Sequence, residues 1–277
     1  MANIKINLKQ IKKTFSNEEK MQAYIQSEQE KTFSLPSFLS SSFQITTIKD
    51  MQVLVCGEGE DYIVYVPGGG FVSDPSSYQL QFALDIAKST KKRVYTLLYP
   101  KIPKYDASQI QKKVGFVLQD LAVNGQIPSI VSDSAGSAIV LATLDQIKVS
   151  VSKIVFLSPN VDLRYHTKEQ DKLEEVDDML GYPGVKILAN YYKGNRPLDH
   201  AYVSPVLLDQ LPKAKALIIV GKKEMMLHDA RLLKKKYEDL SIDYTYYEVE
   251  DMMHDFVFYP IEKGKEYKKL VVDFLQT

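Results

Sequence analysis

The stretch VSDSAG at residues 131–136 follows an apolar, β-type run at residues 128–131 and leads into a helical pattern that begins at Ala135. A strand that turns sharply into a helix can expose a serine as a nucleophile, because small flanking residues let the two elements pack closely. Such a serine needs a base, an acid that orients the base, and donors for a developing oxyanion. The stretch therefore predicts that Ser134 is the nucleophile of a serine hydrolase.

The composition is that of an ordinary globular protein of 277 residues, with 45% hydrophobic and 25% charged residues. Lys plus Arg and Asp plus Glu both total 35, so no basic surface for nucleic acid is indicated. One cysteine, Cys56, excludes an internal disulfide and any CxxC motif. No run approaches the ~18 apolar residues of a membrane span, and no secretion signal is recognisable, so we expect a cytoplasmic location without stable membrane insertion.

Strand and helix patterns alternate along most of the chain. A polar segment, residues 1–42, includes a predicted helix start at residues 16–19. About eight strands follow, at residues 43–48, 52–55, 62–66, 93–99, 129–131, 153–157, 216–220 and 244–249. Helices are predicted at residues 77–89, 108–122, 135–146, 229–240 and 261–275. The alternation predicts an α/β domain over residues 43–277, with a mostly parallel sheet after an antiparallel opening.

One segment, at about residues 163–211, interrupts this alternation, because no strand pattern appears in it. An insertion longer than an ordinary crossover is usually functional, for example as a lid over a site. Its acidic stretch, residues 169–178, favours a solvated helix face over a metal site. Its tyrosines either line a pocket or pack the insertion against the body, and the sequence leaves both open.

A glycine-rich loop, PGGGF at residues 67–71, follows the strand at residues 62–66. Glycines at a strand end permit positive φ and close approach of the backbone to a substrate. A flexible turn would have the same composition. Because the loop precedes the serine in an α/β pattern, we predict an oxyanion hole made by the amides of Gly68, Gly69 and Ala135, in which each donor is typically worth ~10²–10³ in rate.

The candidate base is His254, one of four histidines, in a loop between the last strand and the last helix. A loop at the carboxyl edge of a parallel sheet can place an imidazole next to the nucleophile. His166 and His200 lie in the insertion, where we expect surface positions. His228 opens a helix, and we expect it to be a capping or surface residue.

The candidate acid is Glu224, which follows the strand at residues 216–220. Its carboxylate would hold the imidazole in the required tautomer, and the neighbouring Lys222 and Lys223 would favour its ionised form. A plain helix-start acid that favours the helix dipole is the alternative reading. Asp229, five residues later, remains a rival for the same role.

Together these motifs resemble the hormone-sensitive-lipase-like branch of the α/β-hydrolase fold, over roughly residues 43–277. That branch carries an HGGG loop, a GDSAG elbow and a late histidine before Phe. The segments YPKIP at residues 99–103 and LSPNVD at residues 157–162 are also similar to family motifs. The resemblance implies a sheet flanked by helices, the site order Ser134, Glu224, His254, and a helical cap built from residues 1–42 and the insertion.

Three residues depart from the family pattern. Pro67 replaces a histidine, Ser132 replaces the first elbow glycine, and Glu224 replaces the usual aspartate. Proline lacks an N–H, but the expected oxyanion donors are the glycines that follow it. The departures therefore bear on rate and substrate range more than on the type of reaction.

The expected function is a carboxylic-ester hydrolase that acts on small or short-acyl esters without a metal or organic cofactor. The expected partner is a small ester molecule and not nucleic acid, and the sequence leaves monomer and homodimer both open. Two alternatives also remain open. One is an amidase or peptidase with the same triad, and the other is a non-catalytic ligand-binding member of the fold.

Overall fold

The computed structural model describes residues 8–123, 125, 127–147, 149–165 and 167–277. Its centre is one sheet of eight strands in the order β1-β2-β4-β3-β5-β6-β7-β8. The strands are β1 (Gln44–Ile48), β2 (Met51–Cys56), β3 (Tyr62–Val66), β4 (Arg93–Leu97), β5 (Ser129–Asp133), β6 (Lys153–Leu157), β7 (Lys215–Gly221) and β8 (Tyr244–Val249). The β1–β2 and β2–β4 pairs are antiparallel and the other pairs are parallel. The expected mostly parallel sheet with an antiparallel opening is confirmed.

Within the described ranges the chain forms nine α-helices. They are α1 (Leu8–Phe15), α2 (Glu18–Glu30), α3 (Ser77–Thr90), α4 (Ala107–Leu121), α5 (Ala135–Ile147), α6 (Lys168–Val176), α7 (Tyr182–Lys193), α8 (Leu227–Asp239) and α9 (Glu262–Gln276). Short side chains start several of them. Asn17 caps α2 at the predicted start, and reciprocal capping pairs begin α3, α4 and α6.

The two faces of the sheet bury separate hydrophobic cores. Alternate residues of β3 show this directly, since Ile63 and Tyr65 belong to one core while Val64 and Val66 belong to the other. Helices α3 and α9 cover the first face, and α4, α5 and α8 cover the second. Burial on both faces explains why the central strands β3, β6 and β7 carry nearly continuous apolar runs.

The N-terminal helices pack against the insertion rather than standing alone. Helices α1 and α2 both contact α7, and Lys12 of α1 donates to the carbonyl oxygens of Glu174 (2.9 Å) and Leu180 (2.5 Å). Gly184 of α7 lies so close to Phe15 and Met21 that an added Cβ would be 2.7 Å from each side chain. The two segments therefore form one layer.

None of the helices in the described part of the chain is long and apolar enough to cross a membrane.

Candidate active site

The turn between β5 and α5 holds Ser134 at φ +44°, in the left-handed region. Its N–H donates to the carbonyl of Leu157 (3.0 Å), which fixes the turn against β6. A side chain at Gly136 would collide with the Val66 carbonyl oxygen, so only glycine fits there. Ser132, at the position of the usual elbow glycine, is fully buried with its Oγ 3.2 Å from that of Ser137. The crowded strand–turn–helix geometry expected of a nucleophile elbow is present.

The structure brings Ser134, His254 and Glu224 into one hydrogen-bonded chain. His254 Nε2 lies 3.0 Å from Ser134 Oγ, and His254 Nδ1 lies 2.7 Å from Glu224 Oε2. The other carboxylate oxygen of Glu224 accepts from the Gly221 amide (2.6 Å) and the Ser158 hydroxyl (2.9 Å). All three members of the chain are buried. The geometry is that of a nucleophile, a base and an acid that holds the base.

Asp229 is not near the imidazole. Its Oδ2 accepts from the backbone amides of Val161 (2.7 Å) and Asp162 (2.8 Å), in the loop after β6. Of the two rival acids, the structure places Glu224 against His254 and gives Asp229 the task of fixing this loop.

Two of the remaining histidines, His200 and His228, are described, and neither lines the cavity at Ser134. His200 Nδ1 accepts from the Tyr202 amide (3.1 Å). His228 is the second residue of α8 and, contrary to the expected capping or surface position, it is buried, with Nδ1 2.7 Å from Glu169 Oε2. It therefore ties α8 to the insertion rather than occupying an open surface. His166 lies outside the described residues.

The glycine-rich loop borders the nucleophile with a one-residue difference from the expectation. Gly69 (φ +114°) and Gly70 (φ +61°) line the cavity at Ser134. Gly68 does not, because it is buried and its backbone amide interacts with the Asp133 carboxylate. The structure thus places Gly70, rather than Gly68, beside Gly69 at the cavity.

The third expected donor is the amide of Ala135. Ala135 is the first residue of α5, so its N–H has no acceptor within the helix.

The Tyr99 hydroxyl donates hydrogen bonds to the backbone of the glycine-rich loop. It lies 2.9 Å from the Pro67 carbonyl oxygen and 3.3 Å from that of Gly68. A side chain two residues beyond the end of β4 thereby holds the segment in which Pro67 replaces the family's histidine. Tyr99 is the first residue of the YPKIP motif, but nothing in that pattern indicated this contact.

The nucleophile opens into a cavity of about 590 Å³ between the sheet edge and the N-terminal and inserted helices. One part of its wall is apolar and comes from α1 and the insertion: Ile11, Phe15, Met179, Leu180, Val185 and Leu188. Another part is polar and includes Tyr24, Ser73, Ser76 and Gln79. A second groove, of about 690 Å³, lies on the outer side of β1 and β2, and its lining does not include Ser134, Glu224 or His254.

A sequence model described as the α/β-hydrolase fold matches residues 63–258, which include Ser134, Glu224 and His254. The chain belongs to this family.

Individual relatives of this hydrolase are distant in sequence. A protein named esterase from Acinetobacter venetianus is 23% identical over 218 residues, which is 75% of this chain and 71% of the relative. Among solved structures, a Staphylococcus aureus protein proposed to be an esterase is 23% identical, with a TM-score of 0.89 over 99% of this chain and 98% of the other. A hormone-sensitive lipase from a metagenome library is 20% identical, with a TM-score of 0.80 over 93% and 96%. These likenesses establish a shared fold.

Two further carboxyl groups, Asp133 and Asp255, lie next to Ser134 and His254. Asp133 is fully buried, and burial raises its pKa to about 6, although hydrogen bonds from Tyr65 (2.6 Å) and Gln79 (2.9 Å) oppose the rise. Asp255 Oδ2 lies 3.4 Å from His254 Nε2. Burial is the main cause that raises the pKa of Asp255 well above its ordinary value, and the nearby Asp133 charge adds to it.

The imidazole experiences opposing effects. Burial lowers the pKa of His254, but the charge of Asp255 and the hydrogen bond and charge of Glu224 outweigh it, and with Asp255 ionised the pKa of His254 is about 10. The protonation of Asp255 therefore bears directly on that of His254. Sequence reasoning overlooked Asp133 and Asp255, although both are direct neighbours of predicted site residues.

Proposed function

We propose that this hydrolase is a serine carboxylesterase that cleaves small or short-acyl esters through a Ser134–His254–Glu224 triad and an acyl-enzyme intermediate. The observation that carries the proposal is the series of buried hydrogen bonds from Ser134 Oγ through both ring nitrogens of His254 to Glu224, at the wall of the cavity. The names of the Acinetobacter and metagenome relatives are consistent with it.

In the first half of the reaction, Ser134 Oγ attacks the ester carbonyl carbon while His254 Nε2 takes the hydroxyl proton. The carbonyl oxygen becomes an oxyanion, which the amides of Gly69, Gly70 and Ala135 would stabilise by hydrogen bonds. The intermediate collapses, the imidazolium returns its proton to the departing alkoxide, and the alcohol leaves. Ser134 then carries the acyl group.

In the second half, a water molecule gives a proton to His254 Nε2 and attacks the acyl carbon. The resulting intermediate expels Ser134 Oγ, which regains the proton from the imidazolium, and the carboxylic acid departs. Throughout, Glu224 holds Nδ1–H, so that Nε2 faces the reacting atoms and the positive imidazolium is stabilised.

We further propose that residues 1–42 and about 163–211 form a cap that selects the substrate. Its apolar wall, which includes Phe15, Leu180 and Leu188, would receive a short acyl chain. A cavity of about 590 Å³ suits a small ligand, and a long-chain triglyceride is larger than this space.

A series of p-nitrophenyl esters from acetate to dodecanoate tests this proposal. We expect kcat/KM to be highest at acetate to butyrate and to fall for longer chains. The matching p-nitroanilides test the amidase alternative, and we expect them to react much more slowly than the esters. Preference for dodecanoate would contradict the cap proposal, and faster anilide cleavage would contradict the esterase assignment.

A further inference from the structure

Asp255 occupies an unusual position for a carboxyl group. It directly follows His254 with φ +56°, in the left-handed region, and its amide donates to Ser158 Oγ (2.9 Å). This backbone turns the side chain back, so that Oδ2 lies 3.4 Å from His254 Nε2. The same nitrogen faces Ser134 Oγ at 3.0 Å. Asp255 therefore adjoins the atom that must accept the serine proton.

An ionised Asp255 would hinder His254 Nε2 from accepting the proton of Ser134. A carboxylate next to Nε2 favours the imidazolium, and a protonated base cannot take a proton from Ser134. The negative charges of Glu224 and Asp177 also raise the pKa of His254, so an ionised Asp255 would add to their effect. With Asp255 neutral, one of these three negative charges is absent and the imidazole is free to be neutral.

Asp133 supplies the reason for a neutral Asp255. Besides burial, the charge of Asp133 and a side-chain hydrogen bond with it both raise the pKa of Asp255, since two neighbouring carboxyl groups cannot both be ionised without a large cost. Asp133 receives hydrogen bonds from the Tyr65 hydroxyl, the Gln79 amide and the Gly68 backbone, all of which favour its ionised form. No hydrogen-bond donor contacts Asp255 Oδ1 among the described residues.

Two tyrosines complete the surroundings of the pair. Tyr65 and Tyr259 are both affected by the Asp255 charge. Burial raises the pKa of both phenols above the ordinary value, so both remain neutral.

We propose that Asp133 and Asp255 share one proton, held on Asp255 and donated to Asp133, and that this pair keeps His254 neutral in the resting enzyme. Asp255 is then a positioning residue, since it acts through the protonation state of the base. The proposed role rests on the proposed function, in which His254 serves as that base. No net proton is gained or lost, because the proton stays on Asp255 instead of moving to Nε2.

The substitution Asp133→Asn tests the pair. It removes the charge that keeps Asp255 protonated, and the new amide can donate to Asp255, which should then ionise. An ionised neighbour within about 4–6 Å shifts a pKa by 1–3 units, so we expect the pKa of His254 to rise by at least about one unit. The rising limb of kcat/KM against pH should move upward by the same amount, which for a wild-type pKa near ~6.5 means a loss of activity of about threefold or more at pH 7.

The double variant Asp133→Asn/Asp255→Asn tests whether the effect of Asp133→Asn acts through Asp255. It removes the second carboxylate, so the rising limb should return to within about half a pH unit of the wild type. A purely structural role for Asp133 at the elbow predicts no such rescue. If the limb stays displaced in the double variant, or if Asp133→Asn does not displace it, the proposal is overturned.

Asp255→Asn alone keeps the proposal testable if Asp133→Asn does not fold. Because Asp255 is held to be neutral already, the rising limb should again stay within about half a pH unit of the wild type. A downward move of more than one unit would mean that Asp255 is ionised in the wild type, contrary to the proposal.

The protonation of His254 can be followed independently of any substrate by ¹⁵N NMR of the imidazole, with His254→Gln to assign its signals among the four histidines. We expect a mainly neutral ring at pH 7.5 in the wild type and in the double variant, and an imidazolium fraction of about one half or more in Asp133→Asn. Imidazolium in the wild type would overturn the proposal. An absence of ester hydrolysis with these ring states as expected would instead count against the proposed function.

Discussion

The sheet edge and the cap are held together in different ways. At the edge, short loops after β5, β7 and β8 carry Ser134, Glu224 and His254, and buried hydrogen bonds from Gly221 and Ser158 fix the acid. In the cap, helices far apart in sequence depend on packing. Lys12 reaches across to the 174–180 region, and α7 lies on α1 and α2. If the edge controls proton transfer and the cap controls binding, as we propose, substitutions in the two regions should separate kcat from KM.

The largest effect is expected at the edge. Ser134→Ala removes the nucleophile and should reduce kcat by about 10⁴–10⁶ without a change in fold, as in other triad enzymes. Steady-state kinetics with p-nitrophenyl butyrate and a circular dichroism spectrum measure this. Ser73→Ala, another serine in the cavity wall, is the control and should stay within about tenfold of the wild type. Activity of Ser134→Ala within tenfold of the wild type would contradict the assignment.

The acid gives the next largest effect. Glu224→Gln keeps the shape but removes the charge that holds Nδ1–H, and kcat should fall by about 10²–10⁴. Asp229→Asn is the matched control, because Asp229 bonds only to backbone amides of the loop after β6.

In that control we expect less than a tenfold change in kcat, together with about 1–2 kcal/mol of lost stability from weaker loop hydrogen bonds. Thermal unfolding of both variants measures the loss of stability separately from the change in kcat. A reversal of the two kinetic results would mean that Asp229, and not Glu224, serves the base.

The edge could be predicted from the sequence because its signals are local. The VSDSAG turn, the apolar strands and the late histidine each carry their information within a few residues. The choice between Gly68 and Gly70 could not be predicted, because three consecutive glycines look alike until Asp133 is seen to occupy the first amide. The contact of Asp255 with Nε2 depends on a left-handed backbone turn that no pattern reveals.

The cap was predicted as a segment but not as a structure. Helices α6 and α7 acquire their partners from α1, α2 and α8, more than 50 residues away along the chain for most contacts. Burial of His228 against Glu169 is one consequence, since a helix-opening histidine gives no local sign of a partner in the insertion.

A cap substitution should act mainly on binding. Leu188 is buried in the cavity wall, with its Cδ1 2.8 Å from where a Cβ on Gly70 would lie. Leu188→Ala removes apolar contact, and at ~0.8 kcal/mol per buried CH₂ we expect KM for p-nitrophenyl butyrate to rise by about 5- to 30-fold, with kcat changed less.

Tyr191→Ala in the same helix is the control, because this side chain is partly exposed and does not line the cavity. A fall in kcat with unchanged KM for Leu188→Ala would contradict the proposal that the cap acts on substrate binding and the edge on proton transfer.

The smallest effect is expected at Pro67. Tyr99 already holds this segment by its carbonyl oxygens, so a bracing imidazole is not needed. Pro67→His should change kcat by less than about tenfold, whereas a misplaced oxyanion donor would be worth up to ~10². A hundredfold gain in the steady-state assay would show that the natural loop is poorly organised.

The most direct test of the central claim is covalent labelling of the nucleophile. A fluorophosphonate should react with the wild-type protein at one site, and peptide mass spectrometry should locate the adduct on Ser134. Labelling should be lost in Ser134→Ala and strongly slowed in His254→Gln, because the hydroxyl is activated by the imidazole. Absence of labelling in the folded wild type, or an adduct on another serine, would contradict the account and favour a ligand-binding protein without turnover.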